Sequence, residues 1–147
     1  MTGLPRLEML HRYDEWPDGV APVSYTHLDV YKRQIVISGA GGLGHLAIQY
    51  AKVMGLQVCA VDIDDAKLAL AKKVGADFVV NAKHGDPAEA VKKGTNGGAH
   101  GILITAPSLG AFKQGVGMTR KRGTCVLVGL PPGDFPVPLL DVYKRQL

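Results

Sequence analysis

The residues with the clearest chemical potential are three glycines. Gly39, Gly41 and Gly44 spell G-A-G-G-L-G directly after the apolar run Ile35 to Ser38 and directly before an amphipathic stretch from about Leu43 to Met54. A turn of this kind aims backbone N–H groups and the partial positive charge of a helix N-terminus at a pyrophosphate. The first glycine permits the tight turn, the second lets the backbone approach the phosphates, and the third allows close helix–sheet packing. The second component is Asp62, which closes the next apolar run, Gln57 to Asp62. It lies roughly 20 residues beyond the motif, where an acidic side chain accepts hydrogen bonds from an adenosine ribose.

The other reactive side chains do not converge in this way. Cys59 and Cys125 each sit inside an apolar run and read as buried strand thiols, small core hydrophobes without the setting of a reactive thiolate. His11, His27, His84 and His100 are scattered, belong to no metal-ligating spacing, and read as loop or surface histidines. No catalytic residue and no metal ligand is assigned. His45 falls in the first turn after the glycines, where the helix dipole disfavours a positive ring, so it reads as a packing or polar-surface residue.

The elements needed to hold the glycine turn are legible. Short apolar runs alternate with longer amphipathic stretches, which predicts β-α units and an α/β fold. The expectation is a Rossmann-type doubly wound parallel sheet of about five strands, incomplete at its C-terminal edge because the usual sixth strand is missing. Strands are read at Ile35 to Ser38, Gln57 to Asp62, Phe78 to Asn81, Gly101 to Thr105 and Cys125 to Leu130. Helices are read from Leu43 to Met54, closed by Gly55; from an Asp64 or Asp65 cap to about Val74, closed by Gly75; from Pro87 to about Lys93; and from Leu109 to Met118, its end weakened by Gly115 and Gly117. The first helix is expected to be largely buried. Thr95 to Gly98 reads as a polar loop, and Arg120, Lys121 and Arg122 as a solvated turn. A fifth strand without a neighbour would leave Val126 on an open edge.

With 147 residues and 46% apolar content the chain has material for one core. Its apolar runs are too short to span a bilayer, and its start has no sustained apolar stretch, so no membrane partner is expected and the cytoplasm is the default compartment. A net charge of +4 makes no case for nucleic acid, and no aromatic residues interleave the basic cluster Arg120 to Arg122.

The heptapeptide LDVYKRQ occurs twice, at Leu28 to Gln34 and at Leu140 to Gln146, in unrelated surroundings. Structural repeats recur at a period and share a hydrophobic pattern; this one brackets the coherent region instead. The longer copy, Val23 to Gln34, has a back-translation whose second half is nearly the reverse complement of its first, as in two back-to-back transposon ends used to tag sequencing libraries. The expected organisation is therefore a non-family segment at 1–34, a dinucleotide-binding domain at 35–139 and a foreign tail at 140–147.

The segments ISGAGGLGHLAIQYAKVMG, VCAVDIDDAKLALAKKVGADFVVNA and RGTCVLVGLPPG, in that order, resemble the cofactor domain of bacterial zinc-dependent alcohol dehydrogenases of the medium-chain superfamily. The resemblance implies NAD as cofactor. It places Gly41, Gly42 and Leu43 at the pyrophosphate, Asp62 and Lys67 at the adenosine ribose, Thr105 and Ala106 along the cleft, and Val128 and Leu130 near the nicotinamide. It further implies a homo-oligomeric parent enzyme in which zinc polarises an alcohol for hydride transfer. The chain departs from the pattern in lacking the family's Gly-His-Glu and cysteine zinc ligands, so zinc is expected only in the parent and this chain alone is expected to be inactive. The alternatives are the cofactor domain of a zinc-free quinone or enoyl reductase of the same superfamily, which usually binds NADPH and against which Asp62 argues, and a stand-alone nucleotide-binding module.

Overall fold

A computed structural model describes residues 33–137. Strand β1 (Gln34–Ser38) leads through the glycine turn into helix α1 (Gly42–Val53). Then follow β2 (Gln57–Asp62), α2 (Asp65–Lys73), β3 (Phe78–Asn81), α3 (Pro87–Thr95), β4 (Ala99–Ile104), α4 (Leu109–Met118) and β5 (Thr119–Leu127). Every pairing is parallel, in the order β3-β2-β1-β4-β5. This is the doubly wound α/β sheet expected, and among the described residues β3 and β5 are its edges. The segments 1–32 and 138–147, which hold His11, His27 and nearly all of both heptapeptides, lie outside the described residues.

Side chains alternate across the strands, so each face of the sheet receives its own core. Val36, Val61, Ile102 and Ile104 pack with Val91 of α3 and with Phe112 and Met118 of α4. Ile37, Val58 and Ala60 pack on the other face with Ile48 and Ala51 of α1 and Ala71 of α2. Local signals set the helix ends. Asp64 accepts a hydrogen bond from the Ala66 N–H (2.9 Å) and Asp86 one from the Ala88 N–H (2.8 Å), each satisfying a first-turn donor that the helix itself cannot. Gly55 and Gly75, at φ +76° and +119°, turn the chain back after α1 and α2. No helix among the described residues is long and apolar enough to cross a membrane.

Several expectations are corrected. Helix α1 is not largely buried: Gly44, Ile48 and Ala51 face the sheet, while Leu43, Leu46, Tyr50, Val53 and Met54 are exposed. Its sequence carries two apolar stripes, and the close seat of Gly44 against Gly39 fixes which of them turns inward. Strand β5 begins at Thr119, not Cys125, and runs through the basic cluster. It does so by slipping register, Ala99 opposite Thr119 but Gly101 opposite Thr124, with Arg122 at φ +59°. Lys121 and Arg122 remain exposed, and Cys125 is only half-buried because its strand is the edge. Thr95 belongs to α3, its hydroxyl bonded back to the Val91 carbonyl (2.6 Å). Gly115 does not weaken α4; a side chain there would collide with Ile104, so it lets the helix lie close on β4. His100 is a half-buried residue of β4, not a loop histidine; burial first, then Arg120 and Arg33, hold its ring below the ordinary imidazole range. Cys59 is buried as expected, and burial pushes its thiol up to about 12, the opposite of an activated nucleophile.

Candidate dinucleotide site

The glycine turn is pinned by both neighbouring strands. Gly39, at φ +97°, donates its N–H to the Val61 carbonyl of β2 (2.8 Å), and its own carbonyl accepts the Thr105 hydroxyl just beyond β4 (2.7 Å). A Cβ on Gly44 would collide with the Gly39 carbonyl, so helix and turn can meet only through glycine. Ala40 donates to Asp62 Oδ2 (2.7 Å). Gly41 and Gly42, by contrast, have nothing within 4 Å of where a Cβ would stand. Their backbone is open to an incoming group.

Helix α1 differs from its neighbours α2 and α3 at its N-terminus. Its cap is Gly41, which has no side chain to accept a first-turn N–H, and no acidic residue lies in its first turn. Those donors are left for a ligand, and an anion is the group that both they and the helix dipole favour. His45 is turned back toward the cap: its Nδ1 lies 2.9 Å from the Gly41 carbonyl, to which an Nδ1–H donates, so the ring serves as a polar packing group.

Asp62 ends β2 with most of its acceptor capacity in use. Oδ1 accepts from the Ile63 N–H (2.7 Å) and the Asp64 N–H (3.0 Å), while Oδ2 accepts from Ala40. A carboxylate has about four acceptor positions, so one remains, on Oδ2, for a hydroxyl donor. The cleft itself is a cavity of about 200 Å³ bordered by Gly39, Asp62, Ile63, Ala82, Ala106 and Ser108 among others. It lies at the C-terminal ends of the strands, where α/β sheets place their ligands.

The expected residues are distributed around this cavity unevenly. Gly39, Asp62 and Ala106 line it directly. Gly41, Gly42, Leu43 and Gly44 form the turn and first helical residues beside it, and Thr105 stands behind Gly39 as a brace. Val128 is tied to the end of β4 by its N–H to the Ile104 carbonyl (2.9 Å), and Gly129 packs against the Ala106 backbone. Lys67 is exposed on α2, and Leu130 is 90% exposed; neither borders the cavity. Ile63, Ala82, Ser108 and Gln114 border it without having been singled out. Ile63 and Ala82 directly follow strand ends and Ser108 is the N-cap of α4, positional signals that could have found them; Gln114, in the middle of α4, gives none.

Catalytic zinc does not fit the described residues. It takes about three Cys, His or carboxylate ligands, and among the described residues no group of three or more such side chains could hold a metal ion.

The zinc-binding dehydrogenase family model matches residues 42–147. An alcohol dehydrogenase of Moraxella sp. (strain TAE123) is 55% identical over 138 residues, covering 87% of this chain and 40% of its own length. An alcohol dehydrogenase of Geobacillus stearothermophilus is 53% identical over 107 residues, covering 73% of this chain and 32% of its own. Among solved structures, the benzyl alcohol dehydrogenase from Acinetobacter calcoaceticus superposes with a TM-score of 0.75 at 35% identity, over 78% of this chain and 32% of its own. A structure from Sinorhizobium meliloti 1021, bound to NADP, does so with a TM-score of 0.74 at 27% identity, over 78% of this chain and 35% of its own. This chain spans well under half the length of each. With the pinned glycine turn, the uncapped helix and Asp62 on one cleft, it belongs to the zinc-binding dehydrogenase family and is the dinucleotide-binding domain of one of its members.

Proposed function

We propose that this domain binds NAD in preference to NADP, and that its parent enzyme transfers a hydride between an alcohol and NAD with zinc held by sequence outside this chain. The observation that carries the cofactor choice is Asp62. Its carboxylate stands at the end of β2 beside the glycine turn, its Oδ2 accepting the Ala40 N–H. A ribose hydroxyl can donate to the remaining position on Oδ2, whereas a 2'-phosphate would meet like charge there and at the exposed Asp64 and Asp65. A related structure binds NADP on this fold, so in this reading it is the residue at the end of β2 that sets the preference.

In this reading the first-turn N–H groups of α1 hold the pyrophosphate, Asp62 the adenosine ribose, and Ala106 with Val128 the wall beside the nicotinamide. Lys67 and Leu130 are assigned outer roles at the two ends of the cofactor. The bound nicotinamide supplies the hydride-accepting carbon; the protein's part is to hold and orient it. We place the parent in the cytoplasm and expect it to be a homo-oligomer.

Calorimetric titration of the 147-residue chain with NADH and NADPH tests the proposal. NADH is expected to bind at least tenfold more tightly, and Asp62→Gly combined with Ile63→Arg to reverse the order. Equal affinity of the unaltered chain for both cofactors would refute the assignment.

A further inference from the structure

We propose that Thr105 is a positioning residue whose hydroxyl locks the glycine turn in its cofactor-binding geometry before a cofactor arrives; the proposal rests on the dinucleotide reading above. The turn's N–H groups are held from the β2 side, Gly39 by the Val61 carbonyl and Ala40 by Asp62. Its carbonyl is held from the β4 side, by Thr105. The Thr105 Oγ1 has one proton and two carbonyls in range, Gly39 at 2.7 Å and Ser38 at 3.2 Å. Ser38 does not need it, because its carbonyl already accepts the N–H groups of Thr105 (2.9 Å) and Ala106 (3.2 Å). The hydroxyl therefore serves Gly39.

The same oxygen is also a steric stop. It lies 2.8 Å from the position of a Cβ on Gly39 and 3.4 Å from one on Gly44, filling the space into which the turn would otherwise relax. Without the hydroxyl, the Gly39 carbonyl would keep its contact with Gly44 and lose its donor. The turn, with Gly39 at φ +97°, would then be held from the β2 side alone. A turn free to move would have to be ordered at the moment of binding, which lowers affinity for any ligand that carries the pyrophosphate.

Thr105→Val removes the donor at nearly constant shape, and Thr105→Ser keeps it. For the Val variant, calorimetry should show NADH and ADP-ribose weakened by the same factor, about threefold to tenfold, the range of one hydrogen bond. The Ser variant should recover most of it. Amide exchange in the cofactor-free chain should quicken at Gly39 and Ala40 in the Val variant while Ile37, in the core of β1, stays unchanged. Undiminished binding by the Val variant, a Ser variant no better than Val, or a loss seen with NADH but not with ADP-ribose would each overturn the proposal, the last by making Thr105 a nicotinamide contact. If the unaltered chain binds neither ligand, the dinucleotide reading fails by itself, and exchange at Gly39 and Ala40 decides the lock: faster in the Val variant supports it, unchanged overturns it.

Discussion

The two apolar sides of helix α1 meet opposite fates. At its start and along the stripe of Gly44, Ile48 and Ala51 the helix is fitted to the sheet so closely that only glycine can occupy position 44. On the adjoining stripe, Tyr50 is 70% exposed and Val53 88% exposed, with Leu43, Leu46 and Met54 beside them. These apolar side chains keep much of their surface in solvent. The glycine turn is held wholly by described residues, whereas the outer flank stays largely exposed among them. This agrees with a chain that spans well under half of its relatives.

The largest expected effect breaks the fitted side. Gly44→Ala would press a methyl group into the Gly39 carbonyl, a backbone atom that cannot swing aside, and should cost about 2–4 kcal/mol of unfolding free energy in a denaturant melt. Gly42→Ala is the matched control. Nothing lies within 4 Å of its Cβ position, so stability should rise by up to about 1 kcal/mol from helix propensity while NADH affinity falls. If both variants melt alike, the close seat of Gly44 is not what fixes the helix.

A smaller effect concerns the far end of α1, where Lys52 Nζ bonds both Asp77 oxygens (2.9 Å each) and Asp77 Oδ2 also accepts the Val58 N–H (2.7 Å). Burial pushes the Asp77 carboxyl up, but the Val58 amide and Lys52 together outweigh it and leave it below the ordinary value of 3.8. A carboxyl lowered on folding contributes stability that is full above its unfolded value and is lost as pH falls through the folded one. The pair is about one-third exposed, so screening keeps the contribution below about 1 kcal/mol. Asp77→Asn should therefore melt slightly below the unaltered chain at pH 6, and the gap should close as pH drops below about 4. A gap that persists at pH 2.5 would show that shape, not charge, is at work there.

The smallest effect on stability is expected on the outer flank. Leu46→Glu with Val53→Lys should change unfolding free energy by no more than about 0.5 kcal/mol each, because both side chains are already in solvent, while sedimentation at high concentration shows less self-association. A large loss of stability would mean that these two side chains are packed in the folded chain.

The turn and Asp62 were legible because backbone geometry leaves few residue choices there. A tight turn at φ +97° asks for glycine, and a strand end beside it places one side chain against the Ala40 N–H. The caps at Asp64 and Asp86 were readable for the same local reason. The start of β5 was not, since Arg120 to Arg122 look like solvent-facing turn residues and the strand is carried through them by main-chain pairing and a slipped register. Periodicity also could not choose between the two stripes of α1, because both are apolar at helical spacing. The choice is made by Gly44, a residue with no side chain to count.

Strand β1 begins with Gln34, the last residue of a repeated heptapeptide, paired opposite Gln57, and the Arg33 carbonyl accepts the Gln57 N–H (3.1 Å). Both links use main-chain register, which any residue other than proline can keep. The entrance to the strand is therefore more permissive than the glycine turn a few residues later: beyond main-chain register, only the Gln34 side chain's bond to Gln57 Oε1 and the Gln34 N–H on His100 Nδ1 depend on particular residues.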